Sequence, residues 1–254
     1  MRLAIVTAAA LLACSLLLPP VAAQAPPAPS SDIPRTPEGR PDFSGVWQVL
    51  NTASWNVEGH HAEMGVPPGL SVVVGGAIPY QTWALEQRKK NFANRLTEDT
   101  DAKCFMPGVP RITYMPHPFQ IVQTAAKTTI FYEYIHVVRH VYTDGTPHPR
   151  GPIEWWMGDS RGRWDGDTLV VDVVHFTNQT RFDKAGNFHS ADLHVVERYR
   201  FIDRDHLDYH VSIEDPKVFT RPWEMRMPLY RRIEPNIRPL EYDCYGFKDV
   251  FRLP

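Results

Sequence analysis

An all-β fold, an antiparallel meander closing into a barrel with one peripheral helix, follows from three features of the sequence. Apolar and polar residues alternate with period two through most of the second half, as a strand with one buried and one wet face requires. Short polar turns separate the alternating runs, so neighbouring strands form hairpins. A meander must hide its edges, and closing on itself does so directly. A two-sheet sandwich is the alternative.

The elements follow in chain order. Tyr80 to Leu96, after Pro79, is rich in good helix formers. Leu85, Phe92 and Leu96 recur there at helical spacing, so they are expected to face the sheet. Phe119 to Thr124 and Thr128 to Tyr142 form a hairpin through Ala125-Ala126-Lys127. Its second arm is too long for one ordinary strand at ~3.3 Å per residue, so a bend or bulge is expected within it. Asp165-Gly166 separates Arg163-Trp164 from the β-rich run Thr168 to Val174, and that dipeptide suits a tight hairpin turn. The runs from Leu193 to Phe201 and from Leu207 to Ile213 flank the polar turn Asp203 to His206. Trp223 to Leu229 is a further strand whose Pro228 must sit at an edge or bulge. Residues 51–78 and 143–153, rich in Gly and Pro, are loops of the kind that carry function on β scaffolds.

Residues 1–23 read as a secretory signal, with an apolar run from Leu3 to Leu18 and small residues at Val21-Ala22-Ala23. An uncleaved anchor and a lipoprotein modified at Cys14 are the alternatives. Residues 24–40 read as a Pro/Ala-rich flexible spacer and residues 41–254 as a single β-rich domain. A periplasmic or secreted location follows. The formal charge of −2 shows no basic run, which argues against nucleic acid or an anionic membrane surface as partner. Beyond the signal, Cys104 and Cys244 remain in an oxidising compartment, so a disulfide is expected, with two buried free thiols as the alternative.

Thr128 to Tyr142 is the richest segment in chemistry. As one regular strand it would place Tyr132, Tyr134, His136, Val138, His140 and Tyr142 on one face, with Glu133 and Arg139 on the other. Both faces then mix apolar and ionisable groups, which suits a polar cavity better than a dry core. His136 and His194 are candidates for proton transfer, Arg139 for an anion or developing oxyanion, and Tyr134 with Glu197 for orientation. Tyr132, His140, His189 and Arg198 are candidate substrate contacts. Glu197 falls among apolar residues of its strand and should pair with Arg139 or another cation if it is inside. A wet outer face with structural ion pairs is the plain alternative.

Other chemistries have less support. His136 and His140 would lie ~13 Å apart on an extended strand, too far to clasp one ion, and His60 and His61 would point apart. No metal is therefore expected, nor any other cofactor. Gly158-Asp159-Ser160-Arg161-Gly162 matches G-x-S-x-G, but a nucleophile elbow needs a helix after the serine, and a hairpin follows here.

The stretch from Arg35 to Trp47, reading RTPEGRPDFSGVW, resembles the opening of a family of secreted bacterial proteins. Cys104 to Arg111, Tyr132 to Gly145, Trp156 to Asp172 and His189 to Arg198 are further similar stretches. The resemblance implies export and brings no catalytic assignment. Gly45-Val46-Trp47 leading into a meander is also similar to the start of lipocalin-like barrels, which implies a cup for a small, partly apolar molecule. The expectation is an exported, lipocalin-like barrel acting on a small organic molecule by acid-base chemistry, as a lyase, hydratase or isomerase. A non-catalytic carrier and a serine hydrolase using Ser160 are the alternatives.

Overall fold

The computed structural model describes residues 32–63 and 66–244. Residues 1–31, with the signal, Cys14 and the start of the spacer, lie outside that range.

Nine strands close into a barrel: β1 (Gly45–Gln48), β2 (Phe119–Gln123), β3 (Lys127–Tyr132), β4 (Val138–Tyr142), β5 (Asp159–Asp165), β6 (Thr168–Val174), β7 (His194–Asp203), β8 (His206–Glu214) and β9 (Trp223–Arg231). Closure comes from β1 and β9, where Trp47 faces Arg231 and Gln48 faces Tyr230. All neighbours are antiparallel except β4 and β5, which run parallel with Val141 opposite Ser160. Residues 143–158 return the chain to the starting end to permit this.

The expected hairpins are present. Gly166 turns β5 into β6 at a φ of 56°, in the left-handed region that favours glycine. Tyr199 meets Tyr209 and Phe201 meets Leu207 across β7 and β8, with a bulge between Phe201 and Asp203. Pro228 lies between the end of the β1 pairing at Tyr230 and the bridge from Val73 to Met225, so its missing N–H breaks no ladder bond with β1.

The long arm from Thr128 to Tyr142 does more than bend. Ile135 and His136 both take positive φ, 43° and 55°, and the chain reverses there, so that β3 and β4 pair with Ile130 opposite Arg139. The reversal changes the parity of the faces. Tyr132, Arg139 and Val141 are buried, whereas Val138 and His140 are exposed. The expectation that His136, His140 and Tyr132 share one strand face is thereby overturned.

The helix also departs from expectation. α1 spans Thr82–Ala93, Asn94 interrupts it, and a four-residue α2 (Arg95–Glu98) follows. Leu85 and Leu96 are exposed, and the buried residues are Ala84 and Asn91. What α1 faces is a turn around Gly186, where a Cβ would lie 2.6 Å from the Arg88 carbonyl and 2.7 Å from the Phe92 nitrogen. Only glycine permits that approach. Asn91 Nδ2 donates to the Gly186 carbonyl at 3.2 Å, which fastens the turn to the helix.

The 70-residue connection from β1 to β2, the β6–β7 loop and the β8–β9 loop all cap the same end of the barrel. A disulfide between Cys104 and Cys244, with Cα atoms 5.4 Å apart, ties the last described residue to this cap. The docked chain starts before Pro41: Ile33 is buried, and Arg35 makes two hydrogen bonds to Asp167, at 2.9 and 2.8 Å.

Candidate functional site

Inward positions of the barrel alternate along every long strand, and they fill the lumen. Val171, Val195, Phe201, Val211 and Met225 are buried there beside Trp47 and Phe119. At its centre Arg139 pairs with Glu197 through both guanidinium Nη atoms. Arg139 Nε donates to Ser160 Oγ at 3.0 Å, and the Tyr199 and Tyr209 hydroxyls donate to Glu197 Oε1 at 2.9 and 2.7 Å. Burial opposes the charge on Arg139, but the Glu197 carboxylate outweighs it and holds the guanidinium firmly protonated. Burial, reinforced by that carboxylate, pushes both tyrosine hydroxyls well up. Tyr132, also buried, shares a 3.3 Å hydrogen bond with Thr113.

This cluster has the pairing expected of Glu197, yet it is sealed: Arg139 is 3% exposed and Glu197 0%. Every strong donor and acceptor in it has a partner within the cluster, which marks a structural network. Ser160 belongs to it. Its strand runs into the β5–β6 hairpin, and its hydroxyl accepts from Arg139. The elbow geometry that G-x-S-x-G would need is absent.

The other candidates sit elsewhere. His136 occupies the β3–β4 turn with its side chain 50% exposed, 3.8 Å from Asp243. His194 is on the outer wall, its Nε2 2.8 Å from Asp172 Oδ2. That bond, against partial burial, raises the imidazole above its ordinary value. Asp172 also faces His148, whose other ring nitrogen lies 2.6 Å from Asp159. His140 and Arg198 are outward-facing, with Thr129 at 3.2 Å and Ser212 at 3.2 Å as partners. Tyr134 is buried and donates to Asp101 at 2.9 Å. Of the five residues proposed for catalysis, only Arg139 and Glu197 meet. The ring of His60 is bound by the Glu58 and Pro67 carbonyls, and no three metal-ligating side chains among the described residues form a metal-holding group.

The capped end offers open space instead. A cleft of about 440 Å³ lies between α1, residues 98–105 and the β6–β7 loop. Trp83, Phe105 and Phe188 give it apolar walls, and its polar lining includes Gln87, Glu98, Lys103, Asn178, Gln179, Arg181 and His189. Its walls are rigidly pinned. Asp99 binds Arg111 at 2.9 Å through both oxygens, in full burial. Asp183 accepts from the Val57 and Asn187 amides at 2.9 and 3.1 Å, and from Asn187 Nδ2 at 2.6 Å. His189, alone among the proposed site residues, reaches the cleft. Thr180 Oγ1 lies 2.7 Å from its Nε2 and the Ser190 carbonyl 2.8 Å from its Nδ1. Burial lowers its basicity, so it lines the cleft as a neutral, fully engaged ring. Arg181 was not apparent as a site residue in the sequence, because it lies in an irregular loop without periodicity.

No family model matches this chain, and neither do the curated proteins or the solved structures with which it was compared.

Proposed function

We propose that the protein is an exported barrel that binds a small organic molecule in the cleft at its capped end, without converting it. The observation that carries this reading is the contrast between a lumen filled by a closed hydrogen-bond network and a 440 Å³ cleft with aromatic walls and several polar side chains facing it. Concave sites of this size with a few directed polar groups are typical of small-molecule binding. Acid-base turnover has less support, since His136 and His194 are remote from the cleft and His189 already uses both nitrogens. Export rests on the N-terminal apolar run and on a disulfide stable in an oxidising compartment.

Ligand-observed NMR with a mixture of small aromatic acids and their amides tests this. At least one compound should bind the wild type with a stoichiometry of about one, remain chemically unchanged over hours, and be lost in Asn178→Trp, which fills the cleft from an exposed position. Binding that survives the Trp substitution, or conversion of the bound compound, contradicts the reading.

A further inference from the structure

Arg181 is the anomaly of the cleft. Its guanidinium is half-buried, and its hydrogen bond is a long one, 3.4 Å to the Asn91 carbonyl. It forms no ion pair among the described residues, although carboxylates are close. Asp99 is committed to Arg111, Glu98 to Lys103, and Asp183 to backbone and side-chain amides. Burial lowers the basicity of Arg181, yet a guanidinium does not lose its proton in a protein. A desolvated cation is costly until an anion meets it, and this one faces the 440 Å³ cleft.

We propose that the ligand of the end cleft is a small organic monoanion, a carboxylate on a flat apolar body, with Arg181 as its anion contact. This rests on the cleft being the ligand site. The antiparallel bridge from Arg181 to Phe188 sets the cation beside an aromatic wall. Phe188 is held by Tyr80, with ring centroids 6.0 Å apart and nearly parallel, and by the edge of Trp83 at 6.0 Å. A guanidinium presents a planar fork matched to a carboxylate, and the rings beside it suit a flat apolar group. One unpaired cation calls for one negative charge: Lys103 is neutralised by Glu98, and His189 is uncharged.

Calorimetric titration of the full chain with naphthalene-2-carboxylate and with naphthalene-2-carboxamide, equal in shape and different in charge, tests the assignment. The wild type should prefer the carboxylate by about 10- to 100-fold, the range for a charge-assisted hydrogen bond. Arg181→Gln should erase the preference while leaving amide binding in place. The wild-type comparison stands even if that variant fails to fold. Equal binding of the two compounds by the wild type, or a preference that persists in Arg181→Gln, overturns the anion assignment and leaves the cleft reading intact. Binding of neither compound overturns both.

Discussion

Glu197→Leu is expected to destabilise the fold by about 3–5 kcal/mol, the range for removing one partner of a buried ion pair. The substitution leaves Arg139 charged at the centre of a sealed lumen, without the carboxylate that pairs with it. It also strips the acceptor from the Tyr199 and Tyr209 hydroxyls. The double variant Arg139→Met/Glu197→Leu should recover part of the loss, because an apolar pair of similar volume often does as well as the ions. Recovery should be incomplete, since two tyrosine hydroxyls remain buried without their acceptor. Urea unfolding of the two variants and the wild type measures both effects. A single variant within about 1 kcal/mol of wild type would mean that the pair is solvated and the lumen open.

The second large effect is a pH dependence centred on Asp183. Burial pushes its carboxyl up to about 6, against the hydrogen bonds it accepts from Asn187 and Val57. The folded chain therefore holds this proton more tightly than the unfolded chain, in which the ordinary value is 3.8. Stability from the group is fully present below about pH 4 and is lost as pH rises through about 6. A shift of this size corresponds to about 3 kcal/mol. Asp183→Asn cannot titrate, so the stability advantage of wild type over that variant should shrink by up to about this amount between about pH 4 and 8. Unfolding free energies of both proteins at the two pH values give the comparison. A constant difference would show that Asp183 keeps its ordinary acidity and that the hub at Val57 and Asn187 is wet.

The hairpins were legible because period-two alternation and turn chemistry are local. Leu207 to Ile213 and Leu193 to Phe201 bury the residues that their alternation assigns to the inside. The salt partner of Glu197 was legible for the same reason, as an acid in an apolar row requires a cation. The reversal at Ile135 and His136 was not. Ile135 is β-branched and disfavours positive φ, and a lone histidine with only a modest preference for it is too weak a signal to mark the turn, so one change of parity moved His140 to the outer face. The helix misled in a related way. Leu85 and Leu96 have helical spacing, but the surface that α1 meets is a polar turn closed by Gly186, and Asn91 suits it better than leucine. The cleft is assembled from segments some 80 residues apart, α1 and the β6–β7 loop. Periodicity within either segment carries no sign of the other.

On the proposed function, a ligand enters at the capped end while the barrel interior stays shut. Residue-resolved NMR of the isotopically labelled protein, titrated with naphthalene-2-carboxylate, tests that most directly. The resonances of the Trp83 indole, Arg181 and Phe188 should move together and saturate, while those of Val171, Tyr199 and Tyr209 stay fixed. Movement of the lumenal tyrosines with Trp83 and Arg181 unmoved would contradict the account, because the compound would then occupy the space assigned to the Arg139–Glu197 network.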